Sequence, residues 1–181
     1  CIAEKAWAVE AGLGWQGKNS VLINEKTGSF LFLGIILVTT ELEYDLPYTD
    51  GKCGECRICI ERCPTGAINE NRTIDTSKCI SNLTIENREP IDKALCEKID
   101  NRIFGCDICQ EVCPLNKKAK THNHPELKIN DELRSLNLAG WQAMTEDDFR
   151  RIFKNSPVYR KGFERFRKNI DVLTGKESGL L

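Results

Sequence analysis

The chain has 181 residues, 40% hydrophobic and 29% charged, with a formal net charge of -1. This is globular composition, which excludes a disordered chain and a uniformly basic nucleic-acid coat but leaves room for a local basic patch. The longest apolar run, residues 30–38, is too short to span a bilayer and suits a buried strand. No secretory signal is read at the front, and the chain opens on Cys1 instead of Met, as a fragment or processed piece would.

Residues 3–11 carry apolar side chains at helical spacing and predict a helix. The segment Gly12-Leu13-Gly14-Trp15-Gln16-Gly17-Lys18-Asn19 contains the dinucleotide pattern G-x-G-x-x-G. That fingerprint needs a strand before it and a helix after it. Here a helix precedes, and residues 20–24 read as a strand, so nicotinamide is not expected to bind. The glycines fit either a backbone approaching a flat cofactor or a plain helix-to-strand connection. Residues 25–28 form a turn, with Gly28 suited to positive φ. Residues 29–40 are predicted as a second, largely buried strand. A helix and a β-hairpin do not make a stable domain, so residues 1–40 read as part of a larger α/β domain. Residues 41–52 form an acidic linker.

Ten cysteines dominate the composition. Cys53, Cys56, Cys59 and Cys63 read C-x-x-C-x-x-C-x-x-x-C, followed by Pro64; Cys106, Cys109 and Cys113, followed by Pro114, repeat the second half. A disulfide framework belongs to small secreted domains. Structural zinc favours two C-x-x-C pairs and gives no reason for the third cysteine. The spacing with its terminal Cys-Pro is that of two-cluster bacterial ferredoxins, in which the fourth cysteine reaches the other cluster. Two [4Fe–4S] clusters are therefore predicted. Cluster 1 takes Cys53, Cys56, Cys59 and Cys113. Cluster 2 takes Cys63, Cys106 and Cys109 and needs one more thiolate, from Cys79 or Cys96. Cys96 lies in a predicted helix, where a cysteine is more often a small buried hydrophobe, so Cys79 is assigned; Cys1 and Cys96 are left structural.

Downstream, His122 and His124 read as exposed loop residues. Residues 131–153 are predicted helical, with Leu133, Leu136, Leu138, Trp141, Met144 and Phe149 as apolar positions. Between residues 150 and 168, eight cationic side chains face a single carboxylate, Glu164, with Tyr159, Phe163 and Phe166 interleaved. This suits either a nucleic-acid footprint or a solvated helix face whose aromatics turn to the core.

A family resemblance runs through these motifs. Ala11-Gly12-Leu13-Gly14-Trp15, Gly17-Lys18-Asn19, Gly28-Ser29, Phe32-Leu33-Gly34, Cys63-Pro64-Thr65-Gly66-Ala67-Ile68, Cys79-Ile80-Ser81 with Leu83-Thr84-Ile85-Glu86, Gly105-Cys106-Asp107, Cys109-Gln110, and residues 156–161 and 167–170 resemble the epoxyqueuosine reductases. The resemblance implies an α+β protein with three parts. Residues 1–50 would be the later portion of a nitroreductase-like, cobalamin-binding domain. Residues 51–118 would be a ferredoxin-like two-cluster module. Residues 119–181 would be a helical C-terminal region with a basic face.

It also implies an oxidoreductase that uses two [4Fe–4S] clusters and cobalamin to reduce epoxyqueuosine to queuosine at the wobble position of tRNA. Lys5, Gly14, Lys18, Asn19, Leu22, Ser81, Asp107 and Gln110 are the implied cobalamin contacts. Arg160, Lys161, Arg165 and Arg167 are the implied tRNA contacts. The family's proton-donor aspartate falls upstream of Cys1, so no catalytic residue is assigned here. Glu4-Lys5 stands where the family has Glu-Arg, and Asn82 where an aromatic is usual. The implied setting is a cytoplasmic monomer fed by a flavodoxin- or ferredoxin-type donor, with no membrane. A reductive dehalogenase-like cobalamin enzyme and a non-enzymatic ferredoxin-type carrier are the alternatives. Residues 1–50 and 119–181 are surplus to a carrier.

Overall fold

The computed structural model describes residues 2–175; Cys1 lies outside them. The protein is mixed α and β, rich in short helices and poor in strands. In chain order the elements are α1 (Glu4–Glu10), β1 (Trp15–Gln16), β2 (Leu22–Ile23), α2 (Ile58–Glu61), α3 (Ile80–Ile85), α4 (Lys93–Ile99), α5 (Ile108–Glu111), α6 (Asp131–Ser135), α7 (Leu138–Ala143), α8 (Glu146–Phe153) and α9 (Phe163–Leu173). None of the described helices is long and apolar enough to cross a membrane. The chain divides into two compact units, Cys1–Asp75 with Asp107–Thr121, and Thr76–Cys106 with His122–Leu181.

In the first unit α1 turns its buried Ala8 inward and leads into the glycine-rich loop. That loop closes a hairpin: β1 and β2 pair antiparallel, with Trp15 opposite Ile23 and Gln16 opposite Leu22. Gly14 has φ +155, and a Cβ there would lie 2.1 Å from the Ile23 carbonyl oxygen. The glycine is thus required by close backbone packing. The turn at residues 25–28 forms as predicted. Asn24 and Gly28 exchange both backbone hydrogen bonds, and Gly28 sits at φ +77. The ring of buried Trp15 lies tilted against that of Tyr48, ring centres 5.3 Å apart.

The predicted buried strand over residues 29–40 is not formed. The hairpin uses residues 15–16 as the partner of residues 22–23, and the apolar run is open to solvent: Phe32 is 90% and Ile36 87% exposed. The physical reason is ladder pairing. A strand needs a neighbour for its N–H and C=O groups, and among the described residues none lies alongside this run.

The second unit is built on an aromatic cluster. Met144, Phe149, Phe153, Phe166 and Ile170 are buried together, with Trp141, Phe163 and Val158 packed around them. Phe149 and Phe166 lie 5.2 Å apart, tilted as aromatic pairs prefer. Each such ring contributes about 2 kcal/mol through burial. The single helix predicted over residues 131–153 is three helices, α6, α7 and α8. Capping residues interrupt it: Asn137 accepts from the Gly140 amide, and Thr145 with Asp148 forms a reciprocal capping box.

A buried polar knot ties α9 to the segment ahead of Cys106. The Asn169 amide donates to the carbonyls of Thr84 (2.8 Å) and Ile103 (2.7 Å). The Thr84 hydroxyl donates to the Ile80 carbonyl and accepts from the Gly105 amide.

Candidate functional site

The two cysteine runs fold into the same local structure. Ile58-Cys59-Ile60-Glu61 and Ile108-Cys109-Gln110-Glu111 each form one helical turn, followed by a residue that leads into Cys63-Pro64 or Cys113-Pro114. The two turns, α2 and α5, pack against each other in the first unit. That packing brings Cys113 to the first run. Burial pushes the Cys59 thiol above its ordinary value, and the neighbouring Cys53, Cys113 and Cys56 push it the same way. The cluster 1 set is thus gathered in one place. No described cysteine is joined in a disulfide. No three His, Cys, Asp or Glu among the described residues close on a point suited to one ion. The donor chemistry fits iron–sulfur clusters, because soft thiolates select such groups.

Of the cluster 2 set, Cys63 and Cys109 lie in the first unit and Cys79 and Cys106 in the second. Cys63 Sγ accepts from the Ala67 amide at 3.3 Å, a contact of the kind that tunes cluster potential. Cys79 is the residue that opens α3. Cys96 lies on α4, where its thiol donates to the Ile91 carbonyl and burial raises its pKa.

Around the cysteine turns, several residues implied as cofactor contacts tie the glycine-rich loop down. Lys5 Nζ donates to the Ser20 carbonyl at 2.6 Å and Lys18 Nζ to the Gly54 carbonyl at 2.8 Å. Asn19 is buried, and its amide donates to the Cys109 carbonyl at 3.2 Å. Its Oδ1, and Trp15 Nε1, are buried without a hydrogen-bond partner. Leu22 is buried in β2. Gln110 bridges Asp107 and Ser29: Nε2 donates to Asp107 Oδ1 (2.7 Å), and Oε1 accepts from Ser29 Oγ (2.9 Å). Ser81 is half-buried on α3, in the second unit.

Asn116 was missed by sequence reasoning. It accepts from the Ser29 amide and donates to Ser29 Oγ and the Gln110 carbonyl. Its place two residues after Cys113-Pro114 was the available signal.

The basic face belongs to the second unit. Arg160 pairs with Glu86. Lys161 is only 5% exposed. Arg165 donates from Nε to the Lys161 carbonyl. Arg167 is committed elsewhere: it donates to the Gln142 carbonyl at 2.6 Å and lies over the Phe163 ring. Arg88, which sequence reasoning also passed over, lines the same cavity as Arg160, Lys161 and Arg165.

These repeated cysteine turns define a class. Residues 52–116 match the family described as a 4Fe-4S double cluster binding domain. Over nearly all its length the chain is similar to proteins named epoxyqueuosine reductase. It is 44% identical over 172 residues to the one from Cellulophaga algicola, a match covering 95% of this chain and 56% of that protein. With the Escherichia coli epoxyqueuosine reductase it shares 40% identity over 96% of this chain and 46% of that protein. A crystal structure of an epoxyqueuosine reductase with an epoxyqueuosine-modified tRNA-Tyr stem loop superposes with a TM-score of 0.88 at 30% identity, covering 96% of this chain and 46% of that one. The Streptococcus thermophilus enzyme gives a TM-score of 0.83, also at 30% identity, over 96% of this chain and 45% of that one. The chain therefore spans about half the length of the relatives it matches.

Proposed function

We propose that this chain is the electron-delivering and tRNA-holding portion of an oxidoreductase that reduces epoxyqueuosine to queuosine at the tRNA wobble position. The observation that carries the reading is the gathering of Cys53, Cys56, Cys59 and Cys113 by two packed, repeated turns, in a chain homologous over nearly all its length to epoxyqueuosine reductases.

The residues divide the work as follows. Cys53, Cys56, Cys59 and Cys113 hold one [4Fe–4S] cluster, and Cys63, Cys79, Cys106 and Cys109 hold the other. Asp107 and Gln110 flank Cys109 on the α5 turn. They offer a carboxylate and an amide beside a cluster thiolate, which fits a macrocycle rimmed with amides. Lys5, Gly14, Lys18, Asn19, Leu22 and Ser81 complete the assigned cobalamin contacts, and the unpartnered Asn19 Oδ1 is a free acceptor among them. When bound, the clusters supply one-electron storage and cobalamin a strongly reducing metal centre. Arg160, Lys161 and Arg165 present positive charge to anticodon phosphates, Arg167 being held by the Gln142 carbonyl, and the base is read in the loop, as single-stranded RNA bases are. The leaving oxygen needs a proton from a general acid, a role given to none of the residues assigned here.

On this reading residues 1–50 are part of a nitroreductase-like domain, 51–118 the two-cluster module and 119–181 the RNA-facing helices. The setting is a cytoplasmic monomer with a flavodoxin- or ferredoxin-type donor. The test is anaerobic turnover of an epoxyqueuosine-containing anticodon stem loop, with the product nucleoside identified by mass. Conversion that disappears in Cys59→Ser, while RNA binding persists, supports the proposal. No conversion by reduced, cluster-loaded protein sinks it.

A further inference from the structure

The second unit contains a cavity of about 200 Å3 lined by Ile85, Glu86, Arg88, Phe104, Pro157, Arg160, Lys161 and Arg165. Four of its side chains are cationic and one is a carboxylate. That carboxylate, Glu86, is spent on Arg160, in an ion pair whose two side chains are largely solvated. Lys161 lines the cavity while only 5% exposed, and among the described residues its ammonium has no hydrogen-bond or ion-pair partner. Burying a charge is costly unless it is paired. Burial and then the neighbouring Arg165 hold its pKa below the ordinary lysine value, with Glu86 acting the other way. Arg88 likewise makes no ion pair among the described residues. The fork of Arg165 is half used, Nε being committed to the Lys161 carbonyl. An arginine fork and a buried ammonium around one small cavity are the donors that tetrahedral oxyanions take.

We infer that this cavity is a built subsite for a single phosphate group of the RNA backbone, taken by Lys161, Arg88 and Arg165, with Glu86 occupying Arg160 until the phosphate arrives. The inference rests on the RNA reading above and sharpens it from a diffuse basic face to one pocket. It makes two claims that a diffuse face does not. Arg88, remote in sequence from the basic tail, belongs to the site. Glu86 opposes binding, because it competes with the phosphate for Arg160 and repels it.

The experiment uses the cluster-loaded protein, an anticodon stem-loop RNA, and inorganic phosphate at ionic strength matched with chloride. Arg88→Ala and Lys161→Met should each weaken RNA binding about 10-fold and flatten its salt dependence by about one unit of log–log slope. Glu86→Gln should tighten RNA binding several-fold, on the order of 3-fold or more, since a like charge is removed. Inorganic phosphate should compete with RNA in the parent and lose that effect in Lys161→Met. Because Lys161 is buried, its variant is checked for cooperative unfolding; Arg88 is exposed and carries the test if Lys161→Met does not fold. RNA affinity and slope unchanged in Arg88→Ala, with no gain in Glu86→Gln, overturn the pocket while leaving the RNA reading in place. Lys161-dependent binding of inorganic phosphate by a protein that does not bind the RNA keeps the pocket and removes the RNA reading.

Discussion

At the scale of single residues, the cysteines differ by what surrounds each thiol. Cys59 has three other thiols as neighbours, so burial and repulsion both disfavour its thiolate until iron takes the place of the proton. Burial first, and then Asp92 at the cap of α4, push the Cys96 thiol up, and that thiol donates to the Ile91 carbonyl. Cys79 stands at the start of α3. Anaerobically reconstituted protein should therefore carry about eight irons per chain. Cys56→Ala and Cys79→Ala should each lose about half of that iron and one cluster's EPR signal, and Cys96→Ala none. A full second cluster in Cys79→Ala would move the assignment to Cys96. The spacing of the cysteines was legible in the sequence because a cubane is wrapped locally. The contribution of Asn116 was not, since it acts on Ser29 across 87 residues of chain.

At the scale of elements, α8 shows how short helices are held. Thr145 and Asp148 cap each other, and Arg151 clamps Asp148 and, across to α6, Glu132. Loss of the cap in Thr145→Ala should cost about 1 kcal/mol of stability by urea unfolding. The Arg151 guanidinium holds the Glu132 carboxyl below its ordinary value. The Asp148 carboxyl is held down first by Thr145 and then by Arg151. Both values are lowered by folding, so the contribution is complete above the ordinary values of 4.5 and 3.8 and fades as pH falls below them. Melting temperatures of Arg151→Met and parent should converge as pH is taken from 6 down to about 3, within the limits of screened surface pairs. A constant gap across that range would show that Arg151 acts through packing alone. The capping box was written in the sequence as Thr145-Glu146-Asp147-Asp148. It went unread there because apolar spacing alone runs on through residues 131–153.

At the scale of the molecule, the apolar run of residues 30–38 is the feature that stands apart. Its sequence says strand, and among the described residues no strand pairs with it. On the proposed reading it belongs to the sheet of a nitroreductase-like domain. In a protein as long as the matched relatives, its amides should then exchange with solvent at least about 100-fold more slowly than those of an open loop, as paired strands do. Fast exchange there, measured by mass spectrometry, would remove that domain assignment.

The sequence by itself determined what is local. The cysteine spacing pointed to the cluster chemistry and Gly28 to the turn, and the order of helix, glycine loop and strand argued against reading G-x-G-x-x-G as a dinucleotide site. Tertiary structure decided what depends on residues far apart in the chain. It made Gly14 a packing necessity beneath Ile23 and drew Cys113 to Cys59 through the packing of α2 on α5. It also sorted four cations that look alike in sequence. Arg167 is tied to the Gln142 carbonyl, Arg160 to Glu86, Arg165 in part to a backbone carbonyl, and Lys161 is buried with no ion pair among the described residues. A charge acquires its role from whatever stands within a few ångströms of it, and chain folding sets those neighbours.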